Sequence, residues 1–264
     1  MPTLRLLVPC AYLFVSAGYI RSFVQNRGAL PAWVRPVFIA GIAGHTLLLA
    51  FLFLVHGFFP FGTVVRGLFF CSWVLALLFL TMENLVHEVS YGAFFLPIHS
   101  VISALTSIFI NSGIPLPGPM MSYYFVIHVS VLFTAYACFC FSFIVSVMYL
   151  LQHREIKRRR LGVFFTRLPS LESMDHSIKI LDALGLSLTV LGVITGFLWL
   201  DAFNMTVSAN IPVKAGFIML TLIFYLSEHL LRIGKGWQGQ RACLLSIAGF
   251  LFVLCTLIMG RHGY

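Results

Sequence analysis

Apolar residues along this chain come in eight blocks, separated by short polar or Pro- and Gly-containing stretches. The longest runs from Tyr124 to His153 without a Lys, Arg, Asp or Glu. At about 1.5 Å per residue it can cross a hydrocarbon core about 30 Å thick, and so predicts a membrane helix. The other seven blocks place spans at about Leu4 to Ile20, Val37 to Val55, Val64 to Met82, Tyr91 to Ile110, Ile178 to Leu200, Val213 to Ile233 and Ala242 to Gly260. Pro60 and Gly62 break the chain after the second block, and NSGIPLPGPMMSY, with three prolines and no charge, after the fourth. Pro97 predicts a local kink in the fourth span, where neighbouring groups must satisfy the freed carbonyl. Gly185, Gly192 and Gly196 in the sixth allow a second helix to approach closely. The predicted fold class is an all-α membrane protein, a bundle of about eight transmembrane helices forming one polytopic domain over residues 1–264.

The polar positions orient the bundle. Arg154, Lys157, Arg158, Arg159 and Arg160 follow the fifth block, which the positive-inside rule places in the cytoplasm. With eight spans, Arg21 to Arg35 and Arg232 to Arg241 fall on the same side, and both termini lie on the outer side. The first block lacks an A-x-A cleavage site and is expected to stay as a span rather than leave as a signal peptide. Composition agrees: 60% of residues are hydrophobic, 9% are charged and mean hydropathy is +0.98, which excludes a soluble core of this length. The net charge of +9 is concentrated in those three clusters. It reads as topology signal and as contact with anionic lipid at the basic inner loop, Gln152 to Asp175, and needs no nucleic acid.

Candidate chemistry narrows to histidine. The six cysteines all lie in apolar runs with no C-x-x-C or C-x-x-C-H, so neither a thiol redox motif nor a c-type haem attachment site is present. They read as small packed hydrophobes. No P-loop, G-x-S-x-G or H-E-x-x-H occurs, and the expectation is a binding or assembly factor rather than a catalyst. Of nine histidines, His56 ends the second span, and His87, His153 and His176 fall in inner loops or at helix ends, where solvated or headgroup roles suffice. His45, His99, His128, His229 and His262 lie within spans or at their outer ends, where an imidazole is costly enough to point to function. His128 and His262 share an outer depth; His45, His99 and His229 lie deeper. Imidazole is an axial ligand of haem iron, and a bis-His site needs two from different helices at matching depth. The alternative for each is a packed imidazole bonded to a carbonyl. Glu228 and Arg232, four apart, predict a structural ion pair, and Ser170, Ser173 and Asp175 predict the capped start of a helix near Asp175.

The segment HVSVLFTAYACFCFSFIVSVMYLLQ, followed by a basic loop, LPSLESMD, LGVITGFLW and GWQGQRACLLSIAGF, resembles the cytochrome c assembly (CcsA/ResC) superfamily, including its HemX-like and YpjD-like members. FFCSWVLALLFLTME followed by GAFFLPI fits the same pattern, and the resemblance covers roughly Thr63 to His262. Its most specific element is H-V-x-x-x-x-x-A-Y-A. The resemblance implies a multi-pass protein of the bacterial inner (cytoplasmic) membrane that handles haem for attachment to apocytochromes outside. Position by position, it implies that His128 and His262 are external ligands of haem iron and that His229 serves an inner site. By depth, His45 or His99 is the candidate partner of His229. One departure stands out. CcsA proteins carry W-G-x-x-W-x-W-D-P-K-E between the sixth and seventh spans, whereas this chain has Trp199, Asp201, Pro212 and Lys214 without the tryptophan-rich core. That shifts the resemblance toward the HemX/YpjD-like branch.

The resulting expectation is a haem-handling integral membrane protein of cytochrome c biogenesis that binds haem b through axial histidines. Its partners would be haem and other cytochrome c assembly membrane proteins. The alternative is a HemX-like accessory or regulator of tetrapyrrole synthesis, a scaffold without bound haem acting through the basic loop. A transporter would want broken helices or an inverted repeat; Pro97 with His99 is the one hint, and no repeat is visible.

Overall fold

A computed structural model describes residues 2–26, 29–56, 63–86, 88–110, 122–159, 162–202 and 210–258, and among them every regular element is an α-helix. Eight of these helices are long and apolar enough to cross a membrane. The chain is therefore an all-helical, multi-pass membrane protein, as the apolar blocks require, because a lone segment in lipid can satisfy its backbone only as a helix. The helices fall into two compact units, Met1–Ser122 and Tyr123–Tyr264.

The first unit holds α1 (Pro2–Val24), α2 (Val34–His56), α3 (Val64–Val86) and α4 (Ser90–Ile108). α1 packs chiefly on α4 and also on α2, and α3 joins through α4 and α2. Lipid tails are as apolar as leucine, so these helices are held by packing fit and interhelical hydrogen bonds rather than by escape from water. The fit is aromatic. Buried Tyr12 meets Phe38 edge-on with centroids 5.9 Å apart, Phe38 meets Phe79 at 5.6 Å, and Phe79 stacks on Phe95 at 5.1 Å. The Tyr19 ring fills the space where Gly92 has no side chain, and its hydroxyl donates to Glu83. The sequence ends the third apolar block at Met82, which would put Glu83 beyond it. Instead α3 continues to Val86 and Glu83 is buried, with the Tyr19 hydroxyl offsetting part of the desolvation.

The second unit holds α5 (Tyr123–Lys157), α6 (Val163–Arg167), α7 (Leu171–Ala202), α8 (Asn210–Lys235) and α9 (Gln240–Ile258). α5 packs along α7 and also against α9, while α8 packs on α9 and α7. The close approach of α5 and α7 uses the glycine stripe. Gly185 faces Phe139, Gly192 faces Leu132 and Gly196 faces His128. Across the bundle Phe139 stacks on Tyr225 with centroids 3.8 Å apart.

Two boundaries differ from the sequence reading. α5 has 35 residues and α7 has 32, about 52 and 48 Å of helix against a hydrocarbon core of about 30 Å. Much of the expected basic loop is therefore helix: Gln152 to Lys157 extend α5, and the short α6 follows, with Phe165 N–H donating to Glu155 Oε2 at 2.7 Å. α7 begins at Leu171, a turn before Asp175, because Ser170 Oγ accepts the Ser173 N–H at 3.1 Å and caps the helix there. Asp175 is left for another role.

Candidate functional site

His128 lies in the second turn of α5, at the end away from the basic residues. Its Nδ1 is 2.7 Å from the Gly192 carbonyl oxygen on α7. A carbonyl only accepts, so Nδ1 carries the hydrogen and donates it, which puts the lone pair on Nε2. Two neighbours on α7 complete the seat. A Cβ at Gly196 would lie 2.7 Å from His128 Cε1 and 2.9 Å from Nδ1, so only glycine leaves the ring its place. Trp199, one turn on, lies near-parallel to the imidazole at 11° with centroids 6.4 Å apart, and itself packs on Phe125 at 5.1 Å. The ring is half-buried, fixed in tautomer and orientation by backbone and aromatic contacts from one neighbouring helix.

His45 and His99 are held differently. They lie near the middles of α2 and α4, at 0% and 1% exposure. Tyr12 of α1 joins them: its hydroxyl is 3.3 Å from His45 Nδ1, and its ring meets His99 edge-on with centroids 4.6 Å apart. His99 Nε2 donates to the Ser72 carbonyl at 2.9 Å, and Ser72 Oγ lies 3.2 Å away. Phe69 packs on His45 with centroids 4.0 Å apart, and Phe95 stacks on His99 at 5.8 Å. His45 Nε2 and His99 Nδ1 are buried without a hydrogen-bond partner. As a donor set the pair suits iron, but the Tyr12 ring fills the space beside both imidazoles, so a macrocycle could enter only by displacing it.

His229 is half-buried on α8, in the second unit, whereas His45 and His99 belong to the first. Its neighbour Glu228 pairs with Arg232 as the four-residue spacing predicted, and Arg232 Nη1 also reaches Asp175 at 3.0 Å, an arm 57 residues away that no local pattern signals. His262 lies outside the described residues. Among the described residues no three of His, Cys, Asp and Glu gather as a metal site.

Residues 61–261 match the sequence model of the family described as Cytochrome C assembly protein. The chain belongs to the cytochrome c assembly family. It is 29% identical over 218 residues to Protein HemX of Bacillus subtilis (strain 168), covering 81% of this chain and 78% of that protein. Protein HemX of Brevibacillus brevis is 28% identical over 229 residues, covering 84% and 79%. Cytochrome c biogenesis protein CcsA of Pyropia yezoensis is 24% identical over 264 residues, covering 83% and 82%. Within this family member, His99, His128 and His229 lie inside the matched stretch, as do Gly192, Gly196 and Trp199, which form the seat of His128. The glycine spacing signalled close approach in the sequence, but not that a histidine ring was what approached.

Proposed function

We propose that this cytochrome c assembly family member is a haem-handling protein of cytochrome c biogenesis in the bacterial inner membrane, and that His128 is an axial ligand of haem b. The observation that carries this reading is that His128 is only half-buried while its Nδ1–H is committed to the Gly192 carbonyl, which leaves the lone pair on Nε2. Histidines that ligate metals commonly commit one ring N–H to a carbonyl or carboxylate, which orients the ring and raises the basicity of the other nitrogen. His262, which matches the second external histidine of the resembled family, is proposed as the opposite ligand. Bound haem supplies an iron centre whose potential and spin state follow its axial ligands. The chain's part is to hold: Gly192 sets the tautomer, Gly196 leaves room for the ring, and Trp199 limits its rotation. For an inner haem the proposed donors are His229 of the second unit or, in the first unit, His45 and His99.

The basic ends of α5 and α8 are proposed to face the cytoplasm, which puts His128 and both termini outside. Arg154, Lys157, Arg158 and Arg159 would then meet anionic lipid, and other cytochrome c assembly membrane proteins would be the protein partners. The test is the absorption spectrum of the detergent-purified protein. A Soret band with resolved reduced bands at stoichiometric haem is expected; a protein that stays colourless after reconstitution with haem overturns the assignment. That second outcome favours a regulator or scaffold of tetrapyrrole synthesis, a reading supported by the missing tryptophan-rich core.

A further inference from the structure

The second unit contains a charged network that takes no part in seating His128. Asp175 accepts Arg232 Nη1 at both oxygens, 3.0 and 3.1 Å, and the Gly239 N–H at 2.9 Å, while Arg232 Nε donates to Glu228. Asp175 is thus a satisfied carboxylate whose side chain is 17% exposed. Seven residues along α7, two turns deeper on the same face, sits Asp182, at 2% exposure. Its Oδ1 accepts a hydrogen bond from Ser246 Oγ of α9 at 3.3 Å, and Ser142 of α5, whose Oγ lies 3.0 Å from that hydroxyl, also donates to the carboxylate. Its Oδ2 is buried without a partner.

The groups facing Asp182 are Cys138 and Ser142 from α5, Tyr225, Glu228 and Arg232 from α8, and Cys243 and Ser246 from α9. His229 acts on Glu228 from the same helix. Arg232 is the one permanent cation of this set, and its hydrogen bonds go to Glu228 and Asp175. With every carboxyl ionised, Asp175, Glu228 and Asp182 would set three negative charges against one positive. A carboxylate has about four acceptor positions, and a buried one stays charged only when it is paired and hydrogen-bonded. Among the described residues Asp182 is reached by serine hydroxyls and forms no ion pair.

We propose that Asp182 is a proton-binding site, holding a proton on its carboxyl group in the resting protein and releasing it when the neighbouring charges change. On release the O–H bond breaks, the proton passes to water, and the carboxylate left behind adds one negative charge to the network. Arg232 Nη2, buried without an acceptor, is the donor in that network that can answer it. Intramembrane acids that face a bundle interior serve proton relays in this way. The site is independent of haem ligation by His128.

Infrared spectroscopy of the purified protein carrying carboxyl-13C aspartate tests it, since the chain has only Asp175, Asp182 and Asp201 to label. The expected result at neutral pH is one labelled carboxylic-acid C=O band that shifts in D2O and is lost in Asp182→Asn. Should Asp182→Asn not fold, the band must persist in Asp201→Asn, an exposed position. In Asp175→Asn it is retained as well; its loss there would place the proton on Asp175 and overturn the site. Label intensity found wholly in carboxylate bands, or an acid band surviving in Asp182→Asn, overturns the site. So does a band that disappears when sodium chloride replaces choline chloride at constant pH, which would make Asp182 a sodium ligand.

Discussion

His128 on the one hand, and His45 with His99 on the other, show two ways in which membrane helices accommodate an imidazole. His128 commits one nitrogen to a carbonyl and rests half-buried between a glycine and a tryptophan. His45 and His99 are sealed in an aromatic core with one nitrogen each unsatisfied. An unmade hydrogen bond in a buried site costs about 1–3 kcal/mol, a cost that His128 avoids at its Nδ1. The difference separates orientation from occupancy. His128 is aimed by its Nδ1 bond to the Gly192 carbonyl, whereas the inner pair keeps a tyrosine ring against both imidazoles.

The largest expected effect comes from removing that tyrosine. Tyr12→Ala should destabilise the first unit by about 3–5 kcal/mol, as for other large-to-small core changes, since the Tyr12 ring is fully buried. If the inner pair is a latent ligand site, the same variant should take up haem in excess of the parental amount, read as pyridine haemochrome per protein; unchanged haem content would leave the pair purely structural. Next comes Gly196→Ala. Its methyl group would meet the His128 ring, so overpacking of about 1–3 kcal/mol is expected. Haem affinity should fall by roughly 10–100-fold, the usual cost of disturbing the groups that orient a ligand, as measured by haem titration. A stable variant with parental affinity would break the proposed link between seat and ligand. The smallest effect is Tyr12→Phe, which removes only the bond to His45 Nδ1. About 1 kcal/mol is expected in thermal or denaturant unfolding, in line with hydrogen bonds between membrane helices.

The eight spans were legible because block length and hydrophobicity are properties of single segments, and the Glu228–Arg232 pair because it is local to one helix. What sequence reasoning missed is distant in the chain. Asp175 reaches Arg232 across 57 residues, and Gly192 and Gly196 seat a histidine 64 and 68 positions earlier. A tyrosine in a first span has no pattern of its own in sequence, yet Tyr12 joins His45 to His99. The basic stretch after the fifth block looks like a loop in sequence because charge ends the apolar run. Charge ends a membrane span, not a helix, and α5 continues to Lys157.

The central claim is that His128 supplies an iron ligand from a backbone-oriented imidazole. The most direct measurement is the visible and electron paramagnetic resonance spectrum of purified His128→Gly, recorded before and after adding free imidazole. Loss of the low-spin signal, with partial return when imidazole fills the space left by the ring, is the predicted result. A parental low-spin spectrum in His128→Gly, insensitive to added imidazole, would contradict the account.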